Sequence, residues 1–188
     1  VVVDGLGGIP SPTTGLSELE SAKTPNVDQL AQSSDCGLST PVLPGITPGS
    51  GPGHLSLFGY DPIQHIIGRG ALEAFGAGVT IKQGEIAARG NFCTIDGTGL
   101  ITDRRAGRIS TTDCQRLCTV LSSITIPQIS IQVVPGEGHR FTIVFRGKDL
   151  SPDISSNDPQ AVDTHPLTLV GFNKSSNSMI QIVNRFLD

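Results

Sequence analysis

The sequence has no tryptophan, one tyrosine and a formal net charge of −4, and its 13 Lys and Arg residues form no extended run. Non-specific affinity for nucleic acid comes mainly from clustered cations, so this composition argues against a phosphodiester-binding role. Uninterrupted apolar runs are only a few residues long, far short of the roughly 20 needed to span a bilayer. Neither a membrane segment nor a signal peptide is expected, and neither nucleic acid nor membrane is expected as a partner. Cys36, Cys93, Cys114 and Cys118 contain no Cys-x-x-Cys pair. In a chain long enough to stabilise itself by burial, they read as reduced thiols of a cytoplasmic protein.

What is abundant is glycine and proline: 23 Gly and 13 Pro make up close to a fifth of the 188 residues, concentrated before residue 80. That half should be rich in tight loops that shape a site. Val1-Val2-Val3 reads as a short buried strand delivering Asp4 into the glycine-rich loop Gly5-Leu6-Gly7-Gly8. Thr24 to Ala31 reads as a helix with Thr24 as N-cap, Pro25 at the first helical position, and Val27, Leu30 and Ala31 on one face. Residues 41–53, with four Pro and four Gly, are expected to be irregular, and a short helix should begin at His54 and end near Gly59-Tyr60-Asp61-Pro62.

After about residue 84 the texture changes. Strand-like segments at 85–95 and 99–103, a helix from 111, and strands at 128–134 and 140–146 describe an α+β module with a mainly antiparallel sheet. Residues 147–178 read as polar loop, and 179–188 as an amphipathic helix with no stop signal. The expected fold class is therefore α/β in two parts, residues 1–84 and 85–188.

Three features could carry chemistry. Ser50, flanked by Gly49 and Gly51 just ahead of a helix, lies where free amides and the helix dipole suit phosphate; from composition alone the reading as an ordinary N-cap is favoured. Pro52 stands where the hydrolase elbow Gly-x-Ser-x-Gly has its second glycine, so that motif is excluded. Asp4 at a strand end suits a divalent cation or a loop cap. A metal beside a serine hydroxyl would lower its pKa and make it nucleophilic. Asp103-Arg104-Arg105-Ala106-Gly107-Arg108 packs three guanidiniums into five residues, with Arg140 and Arg146 further along. Such planar forks match carboxylate and phosphate, and the competing reading is a solvated charged turn. His54 could orient Ser50 or pack on the loop, His139 could reach an anion, and His65 and His165 read as structural or surface residues.

These residues lie in stretches that resemble cofactor-independent phosphoglycerate mutase of the archaeal type, within the alkaline phosphatase superfamily. The stretches are DGLGGIP at 4–10, TPNVDQLA at 24–31, PGSGPGHLSLFGYDP at 48–62, GRGALEAFGAGV at 68–79, RGNFCTIDG at 89–97, TDRRAGRI at 102–109 and GHRFTIVFRG at 138–147. The resemblance implies an alkaline-phosphatase-like domain, here residues 1–84 of it, followed by an inserted substrate-binding α+β domain, here 85–188. It implies two divalent metals, manganese or magnesium, with Asp4 a ligand and Ser50 both ligand and phosphoryl acceptor. Arg104, Arg105, Arg108 and Arg140 would bind the phosphate or carboxylate of the substrate, with Asp103 orienting them or the glycerate hydroxyls. The implied reaction interconverts 3-phosphoglycerate and 2-phosphoglycerate through a phosphoserine.

Two departures stand out. Gly51 occupies a place where some relatives have an acidic residue, and the ligands that complete the metal sites lie beyond the inserted domain, in a segment these residues do not include. The chain is therefore expected to be an N-terminal piece of a mutase, with very weak metal affinity and no activity by itself. The alternatives are a metal-dependent phosphatase or phosphopentomutase-like member of the superfamily, or a non-catalytic remnant that binds phosphate or a protein. Homo-oligomerisation is left open.

Overall fold

The computed structural model describes residues 2–3, 7–46 and 48–188, with the backbone alone at Ser50. The chain divides into two compact units, residues 1–40 and 41–188.

The first unit holds two short helices, α1 (Glu18–Ser21) and α2 (Pro25–Gln32). Helix α1 begins with a reciprocal cap: the Ser17 hydroxyl accepts from the Glu20 amide at 3.3 Å, and the Glu20 carboxylate accepts from the Ser17 amide at 2.8 Å. At α2, Pro25 occupies the first turn as expected, but Thr24 does not cap the helix; its hydroxyl donates to Asp28 at 3.0 Å instead. Val27 and Leu30 share a face and are exposed. Among the described residues the expected buried strand at the start of the chain is not found, and Val1 lies outside them. Val2 and Val3 are irregular and more than half exposed. No strand is described in residues 1–40, so among the described residues this apolar run has no partner within its unit to pair its amides and carbonyls.

The second unit is built on a three-stranded antiparallel sheet in the order β1 (Ile86–Asn91), β5 (Arg140–Arg146), β4 (Ser130–Pro135). A small hairpin pairs β2 (Thr94–Ile95) with β3 (Ile101–Asp103). Central β5 is buried from Phe141 to Phe145. Its side chains alternate between two apolar faces, which is why the strand reads as a nearly continuous apolar run. Phe141, Ile143 and Phe145 face α5 (Thr111–Leu121) and α6 (Ser176–Leu187), packing with Cys114, Cys118, Met179, Ile182 and Phe186. Val144 faces the other way, onto Ala74 and Val79. Ala74 belongs to α4 (Arg69–Gly76). The expected antiparallel module and its helix are thus observed, and all four cysteines are free thiols.

Two glycines set the spacing around β1. A Cβ on Gly70 would lie 2.1 Å from the Ala87 carbonyl oxygen, so α4 approaches β1 at backbone distance. A Cβ on Gly90 would lie 2.1 Å from the Phe141 ring, which fills the space that Gly90 leaves and packs against Phe92 with centroids 4.8 Å apart.

Helix α3 (Ser50–Leu57) corrects the expectation that residues 41–53 are irregular. Ser50, Gly51, Pro52 and Gly53 form its first turn. Pro52 is tolerated because an amide there would have no acceptor within the helix, and the Gly53 amide closes the first turn onto the Gly49 carbonyl at 2.9 Å.

Candidate active site

Of the two residues assigned to the metal, Asp4 lies outside the described residues. Ser50 is placed by its backbone at the first position of α3, and its side chain also lies outside them. Among the described residues no cluster of three or more His, Cys, Asp or Glu could hold a metal ion. Two donors fall short of the four to six that Zn, Mn or Mg sites use. The described residues therefore do not build a metal site by themselves.

The arginine segment is shaped by Asp103. Its carboxylate accepts from the Arg105 amide at 2.7 Å and the Gly107 amide at 2.8 Å, and these backbone hydrogen bonds hold it below the ordinary carboxylate range. Asp103 thus folds the loop backbone. Three successive residues, Ala106, Gly107 and Arg108, adopt left-handed φ values of 48°, 64° and 55°.

The four assigned arginines are not equivalent. Arg104 is engaged: its Nε and Nη2 donate to the two Asp158 oxygens at 3.0 and 2.7 Å, and Nη2 also donates to Gln160 at 2.9 Å. This fork holds the Asp158 carboxyl below its ordinary range. Arg105, Arg108 and Arg140 are exposed, and none forms an ion pair among the described residues. They gather about His139, whose imidazole is held below its ordinary value by burial first and then by the charges of Arg140, Arg105, Arg108 and Arg89. Arg146 does not belong to this group. It sits at the far end of β5 and bonds Glu85 at 3.1 Å and Gln132 at 2.7 Å, a sheet-edge role.

Sequence reasoning missed two arginines. Arg89 on β1 stands opposite Thr142 on β5, on the face that α4 covers. Arg69 opens α4, and a Cβ on Gly49 would sit 3.7 Å from Arg69 Nη2, so this guanidinium lies at the start of α3. Both line a cavity of about 450 Å³ together with Gly51, Leu72, Glu73, Pro135, Gly136 and Thr142. The sequence offers no local spacing that would reveal the pair, since twenty residues separate them and the close approach at Gly70 brings them together. Their motifs, GRG at 68–70 and RGN at 89–91, lie within the stretches of family resemblance.

The comparisons with known proteins agree with these stretches. A model of the 2,3-bisphosphoglycerate-independent phosphoglycerate mutase family matches residues 31–188. A Thermus thermophilus protein bearing the name "Probable 2,3-bisphosphoglycerate-independent phosphoglycerate mutase" is 45% identical over 186 residues, covering 98% of this chain and 46% of its own length. An Aquifex aeolicus protein of the same name is 47% identical over 196 residues, covering 100% of this chain and 48% of its own. The cofactor-independent phosphoglycerate mutase structure from Thermoplasma acidophilum aligns with a TM-score of 0.60 at 34% identity, over 99% of this chain and 49% of that one. The chain thus spans about half the length of these relatives. With likeness of this extent, the chain belongs to the 2,3-bisphosphoglycerate-independent phosphoglycerate mutase family.

Proposed function

We propose that the protein carrying this sequence interconverts 3-phosphoglycerate and 2-phosphoglycerate in the cytoplasm, through a phosphoserine at Ser50. In this reading residues 1–84 belong to an alkaline-phosphatase-like domain and 85–188 to the inserted substrate-binding domain. Asp4 and Ser50 serve as ligands to a pair of divalent metals, manganese or magnesium, together with residues beyond those described. When bound, such ions supply the charge that makes a serine hydroxyl acidic enough to attack at neutral pH.

This chain's own residues supply binding and orientation. Arg105, Arg108 and Arg140 are available to a phosphate or carboxylate, having no carboxylate partner among the described residues. Arg104 joins them by exchanging Asp158 for the substrate, and Asp103 holds the loop that carries them. As the Ser50 oxygen bonds to phosphorus, the bond to one glycerate oxygen breaks. The glycerate reorients against the arginines, and its other hydroxyl oxygen takes the phosphoryl group back. Exclusion of water during the phosphoserine interval keeps the reaction from ending as hydrolysis.

The observation that supports this reading most is the exposed group Arg105, Arg108 and Arg140, without ion-pair partners among the described residues, in a chain of this family. The test is turnover by the longest natural chain that carries these 188 residues. With 3-phosphoglycerate and manganese, 2-phosphoglycerate should form. Ser50→Ala should lower the rate by roughly 10³-fold or more, as expected for loss of a covalent nucleophile. Release of inorganic phosphate without 2-phosphoglycerate would replace the mutase by a phosphatase.

A further inference from the structure

We propose that the cavity between α4, the first turn of α3 and the β1–β5 face is a phosphoryl-binding subsite, with Arg69 and Arg89 as its positioning residues. The proposal rests on Ser50 being the phosphoryl acceptor, and it adds two residues that neither the DRRAGR loop nor the metal ligands include.

Four observations converge. First, the cavity of about 450 Å³ has room for a phosphoryl group and part of a small substrate, and its lining joins Gly51, the neighbour of Ser50, to both guanidiniums. Second, the charges do not balance. Arg69 has no ion-pair partner among the described residues, and Arg89 has one, Glu73 at 3.3 Å, with the charge of Asp158 acting on it more weakly. Two cations and one carboxylate leave the lining with surplus positive charge. Third, Arg89 is incompletely satisfied: its side chain is 22% exposed, yet its Nε is buried with no hydrogen-bond partner. A buried charged donor without an acceptor costs free energy that an incoming oxyanion can relieve. Fourth, as second residue of α3, Gly51 has an amide with no acceptor inside the helix, and Pro52 after it has no amide at all. The positive end of α3 therefore adds to the guanidinium field at one spot.

The bland reading of the same residues is a structural ion pair, Arg89 with Glu73, holding α4 on the sheet. The two readings differ in sign at Glu73. As a structural partner, Glu73 would only steady Arg89. At an anion subsite it competes with the ligand, so its removal should tighten binding.

The test is a titration of the longest natural chain that carries these 188 residues with inorganic phosphate, followed by backbone amide NMR. Phosphate should move the amides of Gly51, Gly136 and Thr142. Arg69→Gln should weaken the affinity read from these shifts about tenfold or more, as loss of one charge-assisted contact implies. Glu73→Gln should tighten it about two- to fivefold, the worth of a partly exposed ion pair. Arg116→Gln, on the exposed side of α5, removes the same charge elsewhere and should leave it unchanged. Arg69 is exposed, so its replacement tests binding even if Arg89→Gln fails to fold. Silence of the three amides at saturating phosphate, equal weakening by Arg116→Gln, or weakening by Glu73→Gln would overturn the proposal. So would an equal response to glycerate, which has a carboxylate and no phosphate. Phosphate binding requires no turnover, so failure of the mutase assay and failure of this subsite are separately visible.

Discussion

Gly70 offers a sharp test of how the unit of residues 41–188 is held together, because two effects of opposite sign meet there. Gly70 lies in the first turn of α4, where alanine is intrinsically better than glycine by about 1 kcal/mol. Yet the added Cβ would lie 2.1, 2.5 and 2.6 Å from the Ala87 oxygen, the Ala87 carbonyl carbon and the Ala88 Cα. These are backbone atoms of β1 and have no rotamer by which to yield. Ordinary carbon contacts need about 3.5 Å, so α4 must withdraw by roughly 1 Å, a gap that forfeits a quarter to a half of the dispersion well. Fully buried Ala74 and nearly buried Val79 lie on that interface. Overpacking of this kind costs about 1–3 kcal/mol, and a clash with backbone belongs at the upper end. Gly70→Ala should therefore lose about 2 kcal/mol net, a fall in Tm of roughly 4–8 °C for a chain of this size. Gly76, in the same helix, has open space out to 4 Å around the position a methyl group would take, and no left-handed φ, so Gly76→Ala should gain up to about 1 kcal/mol. Urea unfolding by circular dichroism measures both. Equal stability of the two variants would refute the close-approach account.

Two further outcomes follow from the side-chain environments. Asp158 is held below its ordinary range by the Arg104 fork first, so its folded pKa is lower than its unfolded one; the stability it contributes is present above about pH 4 and fades as pH falls through the folded value. Wild type should thus lose about 1 kcal/mol more than Asp158→Asn between pH 5 and pH 3, and identical pH dependence of thermal unfolding in the two would contradict the pairing. Among the thiols, Cys36 and Cys93 are exposed whereas Cys114 and Cys118 are buried, with the Cys118 thiol pushed up to about 12 by burial and by neighbouring Cys114. A thiol reagent should label the first two in the native chain and the others only on unfolding; rapid native labelling of Cys118 would show that the α5 face is open.

What is legible in the sequence is what local pattern determines. The apolar run of β5, the helix-like segment of α5 and the Pro25 start of α2 each carry their signal within one segment, and each is found in place. Helix α3 begins four residues ahead of the expected start because Gly51, Pro52 and Gly53 argue against a helix interior, whereas a first turn makes no use of the amide that proline lacks. Val1-Val2-Val3 has the composition of a buried strand, but composition cannot supply a pairing partner. The site shows the same division. The arginines of the loop are visible as a cluster, while the capture of Arg104 by Asp158 depends on a residue 54 positions away. Arg69 and Arg89 become neighbours through a missing methyl group, which no count of charges discloses.

The loop after β3 carries a consequence for any attempt to harden this protein. Left-handed backbone at Ala106 and Arg108 disfavours the folded chain by roughly 1–2 kcal/mol at each residue. The two amides gripped by Asp103 offset part of that and hold the loop backbone that carries the arginines. Selection for heat resistance alone would find easy gains at this loop, in glycine at position 106 or in a shorter connection, and a shorter connection would displace the arginines it carries. On the proposed reading, thermal robustness and grip on an anion are therefore set against each other in the same few residues, and a stabilised variant is best sought in the sheet and its helices.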